Sequence, residues 1–340
     1  MKAVVISTPG NVSVKELDTP RPARGEVLLR MLYVGFCGSD LSSYLGKNPL
    51  VKYPRIPGHE ISGVIAELGE EVPEGYAVGD AVTVVPYTNC GTCSSCRRGR
   101  NYACRENQTL GVQRDGAMQE YITIPWQKIL LAPKLNELEL AMVEPLTVGF
   151  HANMRGRVEE FDVVLVLGCG MIGAGAIAAA AQRGARVIAV DIDDHKLELA
   201  TALGVQHTIN SLTSDLHSEL EGFTGGDGPD VVVEAAGNPL TYRAAVDEVA
   251  FTGRVVCIGY AGAEVSFATK LFVQKEIDIM GSRNATPKDF RAVISYLEQG
   301  TFPLSEMITR KVKPEEAARA VKEWAADPGK VMKILLDFKS

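Results

Sequence analysis

The pattern of apolar and polar residues divides the chain into two regions, in which apolar residues recur at different spacings. From Lys2 to about Leu131, apolar residues come in short alternating or β-branched runs, such as KAVVI, EVLLRMLYV, SGVIAEL and EYITI, with proline and glycine between them. Runs of this kind are typical of β-strands joined by tight turns. We therefore expect a compact, antiparallel, barrel-like β domain with few helices.

From Phe161 onward the period changes to that of a buried strand followed by a helix. The strands are predicted at DVVLVL, RVIAVD, DVVVE and RVVCIG, and helical patterns such as MIGAGAIAAAAQ separate them. This alternation is typical of βαβ units in a parallel sheet. The last stretch adds a strand at EIDIMGS, helices near 287–299 and 314–326, and a final strand at VMKILLDF.

Length and charge narrow the class of protein. The 340 residues exceed the size at which one core usually keeps growing, which favours two domains. The net charge of −7 argues against a nucleic-acid partner. No stretch offers the roughly 18 uncharged residues that a membrane span needs, and no targeting segment is recognisable. We expect a cytoplasmic protein without a membrane partner.

Four of the seven cysteines stand in one polar, glycine-punctuated segment with the spacing C-x2-C-x2-C-x7-C: Cys90, Cys93, Cys96 and Cys104. Four thiolates at such short spacing can reach one tetrahedral Zn²⁺ at about 2.3 Å each and leave no position open for a substrate. This predicts a structural zinc site. Paired disulfides are the alternative, and they are less favoured because the other three cysteines are scattered singly through apolar stretches.

A glycine motif opens the second region. Gly168, Gly170 and Gly173 fit G-x-G-x-x-G between a predicted strand and a predicted helix, where the backbone can approach a pyrophosphate and the helix N-terminus faces its charge. Asp191 ends the next strand, where a carboxylate accepts from a ribose 2′-OH and repels a 2′-phosphate, so NAD is favoured over NADP. The alternative is a glycine-rich helix packed in a core, followed by an ordinary surface aspartate.

Residues at the ends of two later predicted strands also belong to this candidate cofactor site. Small residues around Ala236 and Ile258 follow two further strands where the nicotinamide half should lie, although small residues at strand ends also serve simply as turns. The full set of predicted cofactor-binding residues is Gly168, Gly170, Met171, Ile172, Gly173, Asp191, Lys196, Ala236 and Ile258.

The reactive candidates lie in the first region. Cys37 precedes Ser39 and Asp40 in VGFCGSD, and His59 precedes Glu60 in IPGHEISG. A thiolate and an imidazole bind Zn²⁺ well, and a carboxylate can supply a third protein ligand while water or an alcohol takes the fourth position. Taken singly, a cysteine beside glycine is usually a core residue, and a histidine before a strand is usually a hydrogen-bonded surface group.

Together these motifs resemble the medium-chain zinc-dependent alcohol and polyol dehydrogenases, the sorbitol, threonine and sugar-acid dehydrogenase group. The resemblance rests on CGSD at 37–40, GHE at 58–60, the four cysteines, EPL…H from Glu144 to His151, GCGMIG at 168–173 and VVVEAAG at 231–237. It implies an α/β fold: a GroES-like β-barrel catalytic domain at 1–146 and 287–340, and a Rossmann domain with a doubly wound parallel sheet at 147–286.

The resemblance also implies roles for single residues. Cys37 and His59 would bind a catalytic zinc, with Glu60 and Glu144 as the acidic positions beside it, and which acid binds directly is left open. Ser39 would pass the hydroxyl proton towards solvent, and Asp40 would orient a ligand. The expected cofactors are NAD and two zinc ions per chain, one catalytic and one structural, in a homodimer or homotetramer.

Two positions depart from better-known relatives. Glu144 stands where many alcohol dehydrogenases carry cysteine, which narrows the resemblance to the polyol and threonine branch, and Ser42 replaces a histidine that often ends a proton relay. Two further residues stay ambiguous. His151 could line the pocket or be a buried helix histidine, and Arg114 could pair with a substrate carboxylate or form a surface salt bridge.

The predicted reaction is the reversible oxidation of a secondary alcohol to a ketone by NAD, on a small polar substrate: a polyol, a sugar acid or a hydroxy-amino acid. An activity like that of L-threonine 3-dehydrogenase is the alternative within this class. A zinc-free reductase is less favoured because such relatives lack the cysteine and histidine positions. A non-catalytic NAD-binding protein is less favoured because Cys37, Ser39, His59 and Glu144 are all present.

Overall fold

The computed structural model describes residues 1–339 in two compact units. One unit comprises Met1–Glu144 together with the chain from Ile294 onward, and the other comprises Pro145–Val293. No helix of the described chain is both long and apolar enough to cross a membrane.

The strands are β1 (Lys2–Thr8), β2 (Asn11–Glu16), β3 (Glu26–Gly35), β4 (Glu60–Leu68), β5 (Ala81–Val84), β6 (Tyr121–Pro125), β7 (Ile129–Leu131), β8 (Val163–Leu167), β9 (Arg186–Asp191), β10 (His207–Asn210), β11 (Val231–Glu234), β12 (Arg254–Cys257), β13 (Asp278–Gly281), β14 (Arg310–Val312) and β15 (Ile334–Asp337). The α-helices are α1 (Gly38–Tyr44), α2 (Ser94–Arg97), α3 (Glu137–Arg155), α4 (Met171–Gln182), α5 (Asp194–Ala202), α6 (Leu216–Thr224), α7 (Pro239–Glu248), α8 (Lys270–Gln274), α9 (Pro287–Leu297), α10 (Leu304–Met307) and α11 (Ala317–Ala326). Single 3₁₀ turns span Asn101–Ala103, Trp126–Lys128, Pro314–Glu316 and Pro328–Lys330.

The first unit is built around β3, a ten-residue strand with buried side chains along most of its length. Its sheet runs β14-β15-β3-β4-β5-β7, β6 also pairs with β3, and β1 and β2 form a separate hairpin. β15 comes from the end of the chain and pairs antiparallel with β3, so that Leu335 lies opposite Gly35. The chain end thereby reaches the strand that leads to Cys37, and the predicted antiparallel β domain is confirmed.

The second unit is a six-stranded parallel sheet in the order β10-β9-β8-β11-β12-β13. β8, β9 and β11 are almost wholly buried, as strands with helices on both faces must be, and this explains their continuous apolar sequences. Strand order reverses between β8 and β11, and ligands of such sheets bind beyond the carboxyl ends of the strands at that point. The predicted Rossmann sheet is confirmed.

Some elements escaped prediction from the sequence. β10 has only one fully buried residue, Ile209, because it lies at the edge of the sheet, and its sequence HTIN lacks an apolar run. α6 is short, with Leu220 as its one buried residue and the others exposed or partly exposed. The helix expected from Pro314 begins as a 3₁₀ turn and becomes α-helical only at Ala317.

Candidate metal and cofactor sites

The four cysteines converge into a lobe, here called the cysteine lobe (Cys90, Cys93, Cys96 and Cys104). Their sulfur atoms all lie within 4.8 Å of one another. The Cys93 Sγ lies 3.5 Å from Cys96 Sγ and 3.8 Å from Cys104 Sγ, distances too long for a disulfide bond of about 2.05 Å. A tetrahedron with metal–sulfur bonds of about 2.3 Å has edges of about 3.8 Å. The residues therefore fit a closed zinc site.

Contacts between residues that are close along the chain assemble the cysteine lobe. Cys93 stands at the N-cap of α2, and its backbone N–H points at Cys90 Sγ, 3.4 Å away. The Ser95 hydroxyl and nearby backbone N–H groups lower the pKa of Cys93 to about 5. Burial raises the pKa of Cys96 to about 11. Without a metal, the thiols would thus ionise at widely different pH values.

A second group forms where β3 ends and β4 begins, because Gly35 and Glu60 lie opposite each other in that pair of strands. Cys37 follows β3 at the N-cap of α1, and His59 immediately precedes β4. The imidazole hydrogen-bonds the Cys37 thiol, and its buried Nδ1 has no hydrogen-bond partner. Burial alone would lower the pKa of His59, but the negative charges of Cys37, Glu144 and Asp40 outweigh it and raise that pKa well above its usual range.

Asp40 and Ser39 occupy the first turn of α1. The Asp40 carboxylate is 1% exposed and accepts the backbone N–H of Cys37 at 2.9 Å, while its other oxygen is buried without a partner. Burial raises the pKa of Asp40, and the charge of His59 opposes that shift. The Ser39 hydroxyl is likewise buried without a partner. Unsatisfied polar atoms this close to Cys37 and His59 are unusual in a core that serves only packing.

The two acidic candidates are held by residues that the sequence did not single out. Both oxygens of Glu60 lie 2.6 Å from the ammonium of Lys333, and both side chains are buried. Burial raises the pKa of Glu60 to about 7, while Lys333 acts in the opposite direction. Glu144, on α3, accepts a hydrogen bond from the buried Tyr87 hydroxyl. Burial and the Glu144 charge raise the pKa of Tyr87 well above its usual range, which keeps it a donor.

The cysteine lobe and the group around Cys37 and His59 differ in how closely their possible metal ligands come together. Among residues 1–339, only the cysteine lobe brings three or more possible ligand atoms within 4.8 Å of one another. Cys37, His59, Glu60 and Glu144 are neighbours that act on one another electrostatically. Their side chains fit a zinc site by ligand type and by the unpartnered atoms beside them.

The glycine motif forms the turn between β8 and α4. Gly168 has a φ of +97°, and a Cβ there would lie 2.9 Å from the backbone nitrogen of Ala236. A Cβ on Gly173 would lie 1.8 Å from the carbonyl oxygen of Gly168. Gly170 instead faces open space, since a Cβ there would meet no atom within 4 Å, just before Met171 and Ile172 start the helix. The turn therefore leaves room for a phosphate at a helix N-terminus.

Asp191 closes this turn from the neighbouring strand. One carboxylate oxygen accepts the backbone N–H of Cys169 at 2.7 Å, and the other accepts those of Ile192 and Asp193. A fixed negative charge thus stands beside the glycine turn. Lys196 lies on α5, which begins three residues later.

A buried glutamate joins the two loops that carry Ala236 and Ile258. One Glu234 carboxylate oxygen accepts from the backbone N–H groups of Ala236 and Gly237 and from the Thr241 hydroxyl. The Glu234 backbone carbonyl accepts the N–H of Ile258 at 2.9 Å. The sequence showed Glu234 only as part of VVVEAAG, because its hydrogen bonds depend on the turn that follows the strand.

His151 and Arg114, whose roles the sequence left open, differ in their surroundings. His151 is fully buried in the second unit, and its Nδ1 lies 2.9 Å from Asp289, which also accepts from Thr286. Arg114 lies in the first unit, where the adjacent Asp115 pairs with Arg55 at 2.9 Å. The Arg114 Nε is buried without a hydrogen-bond partner, and burial lowers its pKa.

Two family models match the chain. Residues 23–134 match the alcohol dehydrogenase GroES-like domain, and residues 172–299 match the zinc-binding dehydrogenase model. An uncharacterized zinc-type alcohol dehydrogenase-like protein of Haemophilus influenzae is 36% identical, over 98% of each chain. L-galactonate-5-dehydrogenase of Escherichia coli K12 is 33% identical, over 92% of this chain and 91% of its own. Sorbitol dehydrogenase of Bacillus subtilis is 32% identical, over 99% and 97%.

Solved structures of other dehydrogenases resemble the chain over almost its whole length. An alcohol dehydrogenase from E. coli CFT073 complexed with NADH has a TM-score of 0.91 and 31% identity, covering 99% of each chain. Galactitol-1-phosphate dehydrogenase from E. coli has a TM-score of 0.92 and 30% identity, covering 99% of this chain and 100% of its own. A zinc-binding dehydrogenase from Sinorhizobium meliloti bound to NADP has a TM-score of 0.90 and 28% identity, covering 99% and 98%.

Proposed function

The chain belongs to the zinc-binding alcohol dehydrogenases with a GroES-like domain, and we propose that it oxidises a secondary alcohol group of a small polar substrate reversibly to a ketone, with NAD as acceptor. Its enzymatic class, alcohol oxidation with zinc and a nicotinamide cofactor, follows from that membership. The observation that carries the residue assignments is the pairing of buried His59 with half-buried Cys37, beside unpartnered buried polar atoms of Ser39 and Asp40.

In this proposal Cys37, His59 and one of the carboxylates Glu60 and Glu144 hold the catalytic zinc. When bound, the zinc favours loss of the hydroxyl proton, and the nicotinamide accepts the hydride. Ser39 offers an unpartnered hydroxyl that can take that proton, because its oxygen both accepts and donates. Asp40 orients His59 in this proposal, since the two buried side chains attract each other electrostatically and each carries an unpartnered polar atom.

A second zinc, in the cysteine lobe, is proposed as structural. Support comes from the sulfur–sulfur distances, which match the edges of a ZnS₄ tetrahedron. Four protein ligands leave no open position, so this metal would stabilise the lobe and take no part in turnover. The expected content is therefore two zinc ions per chain.

NAD is proposed over NADP because of Asp191. Solved relatives carry NADH in one case and NADP in another, so the preference must be argued from this chain. Three backbone N–H groups fix the Asp191 carboxylate beside the glycine turn, and a fixed negative charge there opposes a 2′-phosphate. The proposed cofactor contacts are Gly168, Gly170, Met171, Ile172, Gly173, Asp191, Lys196, Ala236 and Ile258.

Asp191→Ser should shift the ratio of kcat/KM for NADP over that for NAD by about 10- to 100-fold, equivalent to about 1–3 kcal/mol. Asp191→Asn is the matched variant, because it removes the charge while retaining an amide oxygen that can accept backbone N–H groups. A wild-type enzyme that already prefers NADP would contradict this assignment.

An anionic substrate, a sugar acid, is proposed on the strength of Arg114. Its guanidinium has an unpartnered buried Nε. Burial lowers the pKa of the half-buried Lys128, and the positive charge of Arg114 lowers it further. Lys128 donates to the Tyr87 carbonyl at 2.7 Å, and the Tyr87 side chain in turn binds Glu144. Two partly buried cations that close to the proposed metal site suit a substrate carboxylate. L-galactonate-5-dehydrogenase is a relative with such a substrate in its name.

The deciding experiment is a substrate panel of hexonates, neutral polyols and L-threonine, with NADH formation as the readout. Arg114→Met should raise KM for a hexonate at least about tenfold and leave KM for a neutral polyol unchanged. Arg24→Met, which removes a surface arginine paired with Glu71, is the control. If neutral polyols are the best substrates of the wild type, the sugar-acid proposal is wrong, and if L-threonine is, the threonine 3-dehydrogenase alternative replaces it.

The domain limits, location and assembly are also proposals. We assign residues 1–146 and 287–340 to the GroES-like catalytic domain and 147–286 to the Rossmann domain, which the two compact units support. A cytoplasmic location is proposed. A homodimer or homotetramer is proposed because β13 pairs on one side only, with β12, and carries the exposed Ile279 at the edge of the sheet. Molecular mass in solution tests the assembly.

A further inference from the structure

Two cations of the first unit, Arg114 and Lys128, are neighbours and are here called the cation pair. The backbone brings them together. Lys128 donates to the Tyr87 carbonyl at 2.7 Å, and Tyr87 forms a β-bridge with Thr109. Leu110, the next residue, forms a second bridge with Arg114. The two positive charges are therefore held in one place by contacts between three segments of the chain.

The cation pair has no acidic partner. Within residues 1–339, neither cation forms an ion pair, and Asp115, which follows Arg114, instead binds Arg55 at 2.9 Å. The Arg114 Nε is buried without a hydrogen-bond partner. Burial lowers the pKa of both cations, and the charge of Arg114 lowers that of Lys128 further. The pair thus holds uncompensated positive charge.

Such a pair favours an anion of high charge. Two like charges that are partly buried repel each other more strongly than they would in water, and burial itself disfavours each charged form. A bound anion offsets both effects. A carboxylate brings one negative charge, whereas a phosphate monoester brings about two at pH 7. A guanidinium binds two phosphate oxygens in its fork, and an ammonium binds as a point charge.

The loop that carries Arg114 packs against the residue before His59. A Cβ on Gly111 would lie 2.4 Å from the backbone nitrogen of Gly58, so the two backbones are in direct contact. The Ala117 N–H donates to the Gly58 carbonyl at 2.9 Å. The cation pair is thereby fixed to the segment that leads into the proposed reacting centre, and an anion bound there takes the place proposed for the substrate carboxylate.

We propose that Arg114 and Lys128 together form a site for a doubly charged anion, and that phosphate monoesters occupy it in competition with the substrate carboxylate. Binding of the anion depends on these two residues alone. The competition rests on the proposed oxidation of a sugar acid. Phosphate monoesters thereby inhibit the enzyme reversibly, by raising the KM for an acidic substrate.

Calorimetric titration tests the binding without turnover. Methyl phosphate is titrated at pH 7 into the zinc-loaded enzyme saturated with NAD, so that the glycine turn is already filled. It should bind at least about tenfold more tightly than acetate, and Arg114→Met and Lys128→Met should each weaken it at least about tenfold. Lys275→Met is the matched control, because Lys275 also donates to backbone carbonyls, those of Asp247 and Val249. Equal affinity for the two anions, or unchanged affinity in both cation variants, would overturn the proposal.

Inhibition kinetics separate this proposal from the sugar-acid proposal. Methyl phosphate should raise the KM for a hexonate and leave kcat unchanged, and Lys128→Met should weaken that inhibition at least about tenfold. If a hexonate is oxidised and bound methyl phosphate does not raise its KM, the competition is wrong and the sugar-acid proposal stands. If no hexonate is oxidised but both variants lose methyl phosphate binding, the anion site stands and the sugar-acid proposal fails. Neither substitution leaves a carboxylate unpaired, and if one variant does not fold, the other decides.

Discussion

The cysteine lobe and the Cys37–His59 site lie in the same compact unit, but they are assembled in opposite ways. The lobe draws all four ligands from 15 consecutive residues, and its sulfur atoms already lie within 4.8 Å of one another. The other site collects residues 37, 59, 60 and 144, and its acids are held by Tyr87 and Lys333, which are 57 and 273 positions away along the chain. A closed structural site needs only its ligands, whereas a reactive site also needs partners that orient them.

The largest expected effect is on turnover at the Cys37–His59 site. Cys37→Ser should lower kcat by about 10³-fold, about 4 kcal/mol, because it removes a proposed charged metal ligand from the proposed reacting centre. Zinc content should fall from two to one per chain while circular dichroism stays that of the folded protein. Full activity together with two zinc ions would place the reacting centre elsewhere.

Glu144→Gln should lower kcat by about 10²-fold with nearly unchanged affinity for NAD, because the glycine turn lies in the other unit. Kinetics and NADH fluorescence titration measure the two quantities. Glu139→Gln is the matched control on the same helix, where Glu139 accepts the backbone N–H of Asn136. Near-normal turnover with a slightly lower Tm would instead make Glu144 an ordinary helix acid.

Cys104→Ser should act on stability and spare the chemistry. Losing one of four ligands weakens the lobe zinc, and each 1 kcal/mol lost should lower Tm by about 2–4 °C for a unit of this size. Thermal unfolding with and without chelator, combined with kcat per folded chain, tests this contrast with Cys37→Ser. A Tm equal to that of the wild type would show that the lobe metal does not stabilise the fold.

The smallest effect concerns the pH at which lobe thiols react in zinc-free protein. A pKa of about 5 for Cys93 makes it a thiolate at pH 7, whereas a pKa of about 11 keeps Cys96 protonated. The depressed pKa favours the folded lobe above the usual thiol pKa, and this contribution is lost as pH falls towards 5. Iodoacetamide labelling followed by mass spectrometry should find Cys93 modified before Cys96 at pH 7. Equal labelling of both residues would contradict the assignment.

Most of the correct predictions from the sequence came from patterns of residues that are close to one another along the chain. The cysteine spacing, the glycine turn ending at Gly173 and the strand–helix alternation each depend on residues that are close along the chain, where backbone geometry limits the possible arrangements. The fold class and the family were accordingly predictable. β10 was not, because an edge strand with one buried residue lacks the apolar run that marks a central strand.

The partners of the reactive residues were decided only by the tertiary structure. The sequence does not distinguish Lys333 from other lysines, and only the pairing of β15 with β3 brings its ammonium to the Phe36 carbonyl and the Glu60 carboxylate. Tyr87 contacts Glu144 only because the chain after β5 lies beside the part of α3 that belongs to the first unit. The spacing of residues along the chain does not predict such long-range contacts. Strand register and helix packing depend on how many side chains throughout the unit are buried together. The sequence by itself determined the fold class, the family and which residues are candidates to bind metal and cofactor, and the fold decided which charged and polar groups hold those candidates.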